Sequence, residues 1–222
     1  MSTRSTIRFR DLRWTLAPLI ASWAFALGLY PRLPDRVPTH WNAAGRPDAW
    51  GPPLLPTFLF PAVMLGLVAL FAVLPAIDPR APDARTLRRA YLGIVLAVLC
   101  FLLLLQAVLA AQTLGAPVDV GRVLPVGIGL LFAGIGLALP RLGPNWFAGI
   151  RTPWTMEDDR VWEATHRVGG KLFFVTGVVV AAVAAIIAPP WSTFAMVAGI
   201  LVAGVGSVVY SYVAWRRLHR TA

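Results

Sequence analysis

Between residues 145 and 171 the chain reads NWFAGIRTPWTMEDDRVWEATHRVGGK. This stretch gathers Asn145, Arg151, His166, four acids and three tryptophans between long apolar runs. Arginine presents a rigid fork of donors suited to a carboxylate or a lipid phosphate, so this set is equipped to bind a lipid or a protein. It contains no nucleophile–base pair and no His/Cys/carboxylate cluster at metal-ligand spacing, which argues against catalysis. A second polar stretch, 31–53, reads PRLPDRVPTHWNAAGRPDAWGPP. There His40, Asp35, Asn42 and Asp48 could in principle surround a metal, but one histidine among scattered carboxylates lacks a tight ligand spacing. A hydrogen-bonded histidine pinning the loop is the simpler reading. A third is an extracellular ligand landing on the proline-fixed cap, which loses little entropy on binding.

Both stretches lie between runs of about 17–25 apolar residues, the length that crosses a hydrocarbon core of about 30 Å. Apolar residues make up 58% of the chain and charged residues 14%, against about half and a quarter in a soluble domain. The sequence therefore predicts an all-α polytopic membrane protein, a bundle of six spans near 14–30, 54–77, 90–112, 123–139, 169–188 and 193–215. Backbone groups in lipid must be satisfied internally, so helices are the open-chain solution. The first span follows a basic N-terminus and resembles a secretory signal, but its length and bracketing Trp14 and Tyr30 favour an uncleaved helix. The one cysteine, Cys100, excludes an intramolecular disulfide.

Charge predicts the orientation. Sixteen of the twenty basic residues fall on one face, carried by the two termini and the 78–89 and 140–171 loops. Arg32, Arg36, Arg46 and Arg122 fall on the other. The positive-inside bias places both termini and the 140–171 loop in the cytoplasm of a plasma-membrane protein. It also accounts for the net charge of +10 without direct nucleic-acid binding. His40 and His166 then lie on opposite faces and cannot share one metal.

The spans carry few ionisable groups, with Gln106 and Cys100 the notable polar groups of the third. Pumps and ion carriers place such groups within the bundle, so their scarcity counts against a pump. Small residues mark helix contacts instead: Gly199, Ala203 and Ser207 on the last span, and Ala17, Ala21, Ala24 and Gly28 on the first. Packing within one chain is the favoured role, with a homo-oligomer as the alternative. Gly127, Gly129, Gly134 and Gly136 permit close packing or a flexible fourth helix.

Six prolines in 31–53 exclude a long helix and favour extended backbone, while Asn42 and Gly45 suit a turn. Within 145–171, GIRTPW reads as a turn. Thr155 followed by Asp158 matches a helix-capping pattern. Val161, Trp162 and Thr165 share one side of an amphipathic helix expected on the inner membrane surface, running into the fifth span.

The run GIRTPWTMEDDRVWEATHRVGGKLF resembles the SdpI family of bacterial membrane proteins. The residues that carry the likeness are Asn145, Gly149 through Thr155, Val161, Trp162, Thr165 to Arg167 and Gly170. The outer loop, through Pro38, His40, Trp41, Asn42, Gly45 and Asp48, resembles a module of unknown function often found ahead of it. The resemblance implies two modules, 1–89 and 90–222, within one bundle. It also implies toxin immunity: binding of a secreted toxic peptide and tethering of a cytoplasmic transcriptional repressor, without catalysis or cofactor. On this reading Asn145, Arg151, Thr152, Trp162 and His166 form an inner site for a partner or lipid. His40, Asn42 and Gly45 form an outer ligand site, Gly45 through backbone shape. A small transporter or lipid-handling permease lined by the Gly-rich fourth span is one competing reading. A membrane enzyme with a metal at His40 is the other.

Overall fold

In the computed structural model, residues 9–80 and 84–220 are described. The chain forms α1 (Phe9–Leu29), a β-hairpin of β1 (Val37–Trp41) and β2 (Pro47–Gly51), then α2 (Leu54–Ile77) and α3 (Ala84–Thr113). There follow α4 (Val120–Ala138), a single-turn α5 (Pro153–Glu157), α6 (Asp159–Ile186) and α7 (Trp191–His219). Helices α2, α3, α4, α6 and α7 contain segments long and apolar enough to cross a membrane, and α1 is a further long helix packed on α2 and α3. The protein is an all-α, multi-pass membrane protein with one small sheet at the end of the bundle.

The expected fifth span and the amphipathic segment before it are one helix. At 28 residues α6 is about 42 Å long, more than a hydrocarbon core of about 30 Å requires. Its first turns therefore stand clear of the core. Their apolar side does not lie on lipid as the amphipathic pattern suggested. Val161, Trp162, Thr165 and His166 are buried in the bundle.

Two packing styles divide the bundle. Helices α1, α2 and α3 meet through ordinary side-chain packing of Leu19, Met64, Val68, Val95 and Leu99. Helices α4 and α6 meet backbone to backbone. A Cβ on Gly136 would lie 2.4 Å from Phe174 N, and one on Gly177 would lie 2.4 Å from Ala133 N. Gly129 and Gly170 are equally closed by the facing helix backbone. The paired glycines stand seven residues apart on each helix, two turns, so they line one seam. On α7, Gly199, Ala203 and Ser207 extend the same strategy: Ala203 and Ser207 are buried, and a Cβ on Gly199 would reach Val180 and Thr176 of α6. The small stripe on α1 differs from its favoured role, because Ala17, Ala21, Ala24 and Gly28 are exposed. Thr15, Leu19, Ser22 and Ala26 form the buried side of α1.

The hairpin crosses from the α1–α2 side to the α4–α7 side at one end of the bundle. The antiparallel register pairs Val37 with Gly51 and Trp41 with Pro47. Its turn is held by Asn42, whose Oδ1 accepts from Ala44 N (3.0 Å) and Arg46 N (3.2 Å). Gly45 adopts φ +71°. The turn sits on the first turn of α4 so closely that a Gly45 Cβ would fall 2.2 Å from Gly121 N. Trp41 Nε1 donates to Gln112, and Thr193 Oγ1 donates to Ala43 O at 2.9 Å.

The seam predicts opposite outcomes for one chemical change two residues apart. Gly136→Ala forces backbone apart and should destabilise by about 1–3 kcal/mol. Gly134→Ala, with nothing within 4 Å of its Cβ, should be neutral or stabilise by up to about 1 kcal/mol. Thermal unfolding of both variants in detergent checks this, and shifts of the same sign would contradict the seam.

Candidate functional site

The stretch 140–158 folds into a compact loop at the end of the bundle opposite the hairpin. There it meets the α2–α3 connection and the end of α7. Local chemistry explains its course. Pro140, Gly143 and Pro144 cannot prolong α4, and Pro153 fixes the first position of α5. The capping pattern differs from the sequence expectation. Thr152 caps α5: its Oγ1 accepts from Thr155 N at 3.3 Å, and Thr155 Oγ1 accepts from Thr152 N at 2.9 Å. Asp158 belongs to the next helix, capping α6 through Arg160 N at 2.7 Å. Overlapping cap residues made both registers available to the sequence, and Pro153 decides between them.

Of the five residues expected on this face, four are buried and turned inward. Asn145 is fully enclosed. Its Oδ1 accepts from Tyr91 Oη (3.0 Å), Phe147 N (2.9 Å) and Ala148 N (2.7 Å), and its Nδ2 donates to the carbonyls of Gly143 (3.0 Å) and Ala148 (2.9 Å). One side chain thus saturates the turn and ties it to α3. Trp162 donates Nε1–H to Leu142 O at 2.8 Å and stacks on His166 with ring centroids 4.1 Å apart.

His166 is fixed by its neighbours. Its Nδ1 lies 2.9 Å from Trp162 O, an acceptor, and its Nε2 lies 3.0 Å from Ile150 N, a donor. The ring must therefore carry its proton on Nδ1 and remain neutral. Gly149, at φ +112°, lets the backbone wrap over the ring: a Cβ there would lie 2.3 Å from His166 Nε2. Thr152 donates to Ser211 Oγ at 3.0 Å, fastening the loop to α7.

Arg151 is the exception. It is exposed and donates to the carbonyl of Trp146, itself 48% exposed. These two side chains form the outward edge of the loop. Around them lies an ionic frame that sequence reasoning missed. Arg80 bonds Met156 O and Asp159, Asp78 Oδ2 accepts from Trp146 N at 3.1 Å, and Glu157 accepts from Trp215 Nε1 at 3.0 Å. Tyr91 and Ser211 were missed too. Nothing in their local sequence separates these two from ordinary helix residues, and only the fold brings Tyr91 to Asn145 and Ser211 to Thr152.

At the other end the structure separates the three expected residues by role. His40 is exposed and pairs with Asp48 at 2.6 Å. Asn42 is engaged in the hairpin turn, and Gly45 makes the close approach to α4. Among the described residues, no three His, Cys, Asp or Glu side chains converge as metal ligands. His40 and His166 lie at opposite ends.

The fold and this hydrogen-bonded loop define a multi-pass helical membrane protein whose most distinctive segment is a locked turn capping one end of the bundle. Comparison with known proteins specifies it further. Residues 141–211 match the SdpI/YfhL protein family and residues 18–65 match a domain of unknown function, DUF1648. The C-terminal part of this membrane protein thus carries the SdpI/YfhL match and the N-terminal part the DUF1648 match. It is 27% identical over 198 residues to the Immunity protein SdpI of Bacillus subtilis (strain 168), covering 89% of this chain and 92% of that protein. No solved structure matches.

Asn145→Ala should strand Tyr91 Oη and the Phe147 and Ala148 amides, at about 1–3 kcal/mol per unsatisfied group. Hydrogen exchange of the 146–150 amides should accelerate by at least tenfold. Unchanged protection would refute the locking role. A second expectation concerns acid. Bonds from Arg160 hold the Asp158 carboxyl below the usual carboxylate range. Its contribution is therefore complete above the ordinary unfolded value of about 4 and is lost as pH falls through the lower folded value. Amide exchange at the start of α6 should rise in that window, and Asp158→Asn should abolish the pH step.

Proposed function

We propose that this chain is a membrane immunity protein, binding a secreted, membrane-active toxic peptide at its hairpin end. The observation that carries the reading is the extent of the match. Likeness to an immunity protein runs through 89% of this chain and 92% of the relative, so both modules and both ends take part. The loop's chemistry favours binding over catalysis, since the polar atoms of Asn145, Thr152, Trp162 and His166 are engaged with the fold.

On this reading the hairpin end faces outward and both termini lie in the cytoplasm of a bacterial plasma membrane, in keeping with the positive-inside bias. The 1–89 module supplies the outer hairpin, with His40 and its surroundings available to a peptide. The 90–222 module supplies the seam and the inner loop. Arg151 and Trp146 offer a cytoplasmic regulator or a lipid headgroup a cation beside an aromatic face. The turn carrying Gly45 rests on α4, α4 rests on α6, and α6 begins at the inner loop. A displaced hairpin therefore has a continuous packed route to the opposite end.

Expression of the chain in a toxin-sensitive bacterium should raise the inhibitory concentration of a membrane-active peptide toxin at least fourfold across a panel of such peptides. Asp48→Asn together with His40→Gln should reduce that protection while leaving membrane levels intact. An Arg151→Ala chain that still protects but no longer retains a cytoplasmic regulator would separate the two ends. No protection against any peptide in the panel would overturn the proposal, and peptide-independent solute flux in liposomes would favour a transporter.

A further inference from the structure

Three cations, Arg141, Arg167 and Lys171, flank the foot of the α4–α6 seam, and helix geometry puts them on one side of it. A Cβ on Gly136 would meet Phe174 N, and one on Gly170 would meet Pro140 at 2.8 Å, so these four positions face one another. In an antiparallel pair, residues preceding the facing positions turn to one side of both helices, and residues following them turn to the other. Phe132 and Phe173 precede Ala133 and Phe174, and their rings stack at 5.1 Å on the first side. Leu137 and Arg141 follow Gly136 and Pro140, and Lys171 follows Gly170, so these three share the second. Arg167 is one turn from Lys171 on the same face of α6, with about 5–6 Å between Cβ atoms. Arg141 donates to Leu137 O, which lays its guanidinium back along α4 beside Leu137.

All three cations are exposed, and among the described residues no carboxylate pairs with any of them. Arg80, Arg122 and Arg160, by contrast, are matched by Asp159, Asp119 and Asp158. Glu163, one turn before Arg167, forms no ion pair with it. Three neighbouring like charges with no counter-charge favour an anion from outside the chain.

Depth identifies the source of that anion. The apolar stretch of α4 ends at Arg141. A hydrocarbon core of about 30 Å takes about 20 residues of helix, and that length counted back from Ile186, the end of α6, reaches Arg167. Lys171 is one turn deeper, but helical side chains tilt toward the N-terminus, here the loop end, and its stem snorkels to the same level. The cations thus stand where lipid phosphates lie. Deeper on the same side, Leu130, Leu137 and Val178 each follow a seam glycine and are 60%, 55% and 46% exposed. Gly134 follows Ala133, and a Cβ there would meet nothing within 4 Å, which leaves a notch beside this apolar track. Basic positions between membrane helices are suited to anionic headgroups.

We propose that Arg141, Arg167 and Lys171 hold the phosphate of one anionic phospholipid whose acyl chains lie along Leu130, Leu137 and Val178. A net-anionic headgroup is preferred over a zwitterionic one, whose own ammonium already offsets its phosphate. The lipid bridges α4 and α6 where the seam gives way to the loop. This site is independent of the immunity reading and stands or falls without it.

The test places the full chain in nanodiscs of equal phosphatidylglycerol and phosphatidylcholine and releases it for native mass spectrometry. The wild-type chain should retain phosphatidylglycerol over phosphatidylcholine at least fivefold. Arg167→Gln with Lys171→Gln should abolish that preference, and Arg141→Gln should weaken it from the other helix. Arg217→Gln with Arg220→Gln removes the same charge near the end of α7 and should leave the preference intact, as should Lys171→Arg. In detergent, phosphatidylglycerol should raise the unfolding temperature of the wild-type chain and the α7 double variant, but not of the α6 double variant. Inorganic phosphate should raise none of them. Equal retention of the two lipids by the wild-type chain would overturn the proposal, as would equal losses in the two double variants. Stabilisation by inorganic phosphate would also overturn it, by making the site one for a free anion.

Discussion

The close approach of α4 to α6 is the constraint from which the remaining architecture follows. Side chains at Gly129, Gly136, Gly170 or Gly177 would overlap the facing backbone, so these helices pack at a separation that only hydrogen at Cα allows. In lipid, where apolar side chains gain little by leaving the solvent, close van der Waals packing carries helix association. The seam sets the two ends of the bundle. At one end α4 receives the hairpin turn at Gly121; at the other it leads into the loop that folds over Trp162 and His166.

That loop changes the meaning of its own sequence. A run of Asn, Arg, Thr, Trp and His suggests a surface waiting for a ligand. Folded, four of the five have their polar atoms committed to the turn, to Ser211 or to Leu142. Asn145 serves five partners, and His166 is held between a carbonyl and an amide. What these residues supply is position. They hold Arg151 and Trp146 outward on a loop that is also tied to the α2–α3 connection through Asp78.

Much of this was legible in the residues. Apolar run lengths located the helices. Asn42 and Gly45 marked the turn of the outer loop, and the distribution of arginines separated the two polar stretches to opposite ends. The strand pairing was less visible, because Pro38 and Pro47 lack ladder donors and the register is irregular between Pro38 and Trp41. The fourth helix declared its glycines but not their partners, since a close contact is a property of two helices and Gly177 has no distinctive neighbours in sequence. Burial of Trp162 and His166 was hidden for a similar reason. An amphipathic pattern reports that one face is apolar, not whether lipid or protein covers it. The small stripe on α1 matches that on α7 in spacing, yet only the α7 stripe meets another helix.

The account rests on a bundle with the hairpin on one side of the membrane and the locked loop on the other. Single cysteines at Asp35 and at Trp146, each in a Cys100→Ser background, can be probed in intact cells with a membrane-impermeant maleimide. The account predicts labelling of Asp35→Cys from outside, with Trp146→Cys labelled only after the membrane is opened. Labelling of both positions from the same side would contradict it.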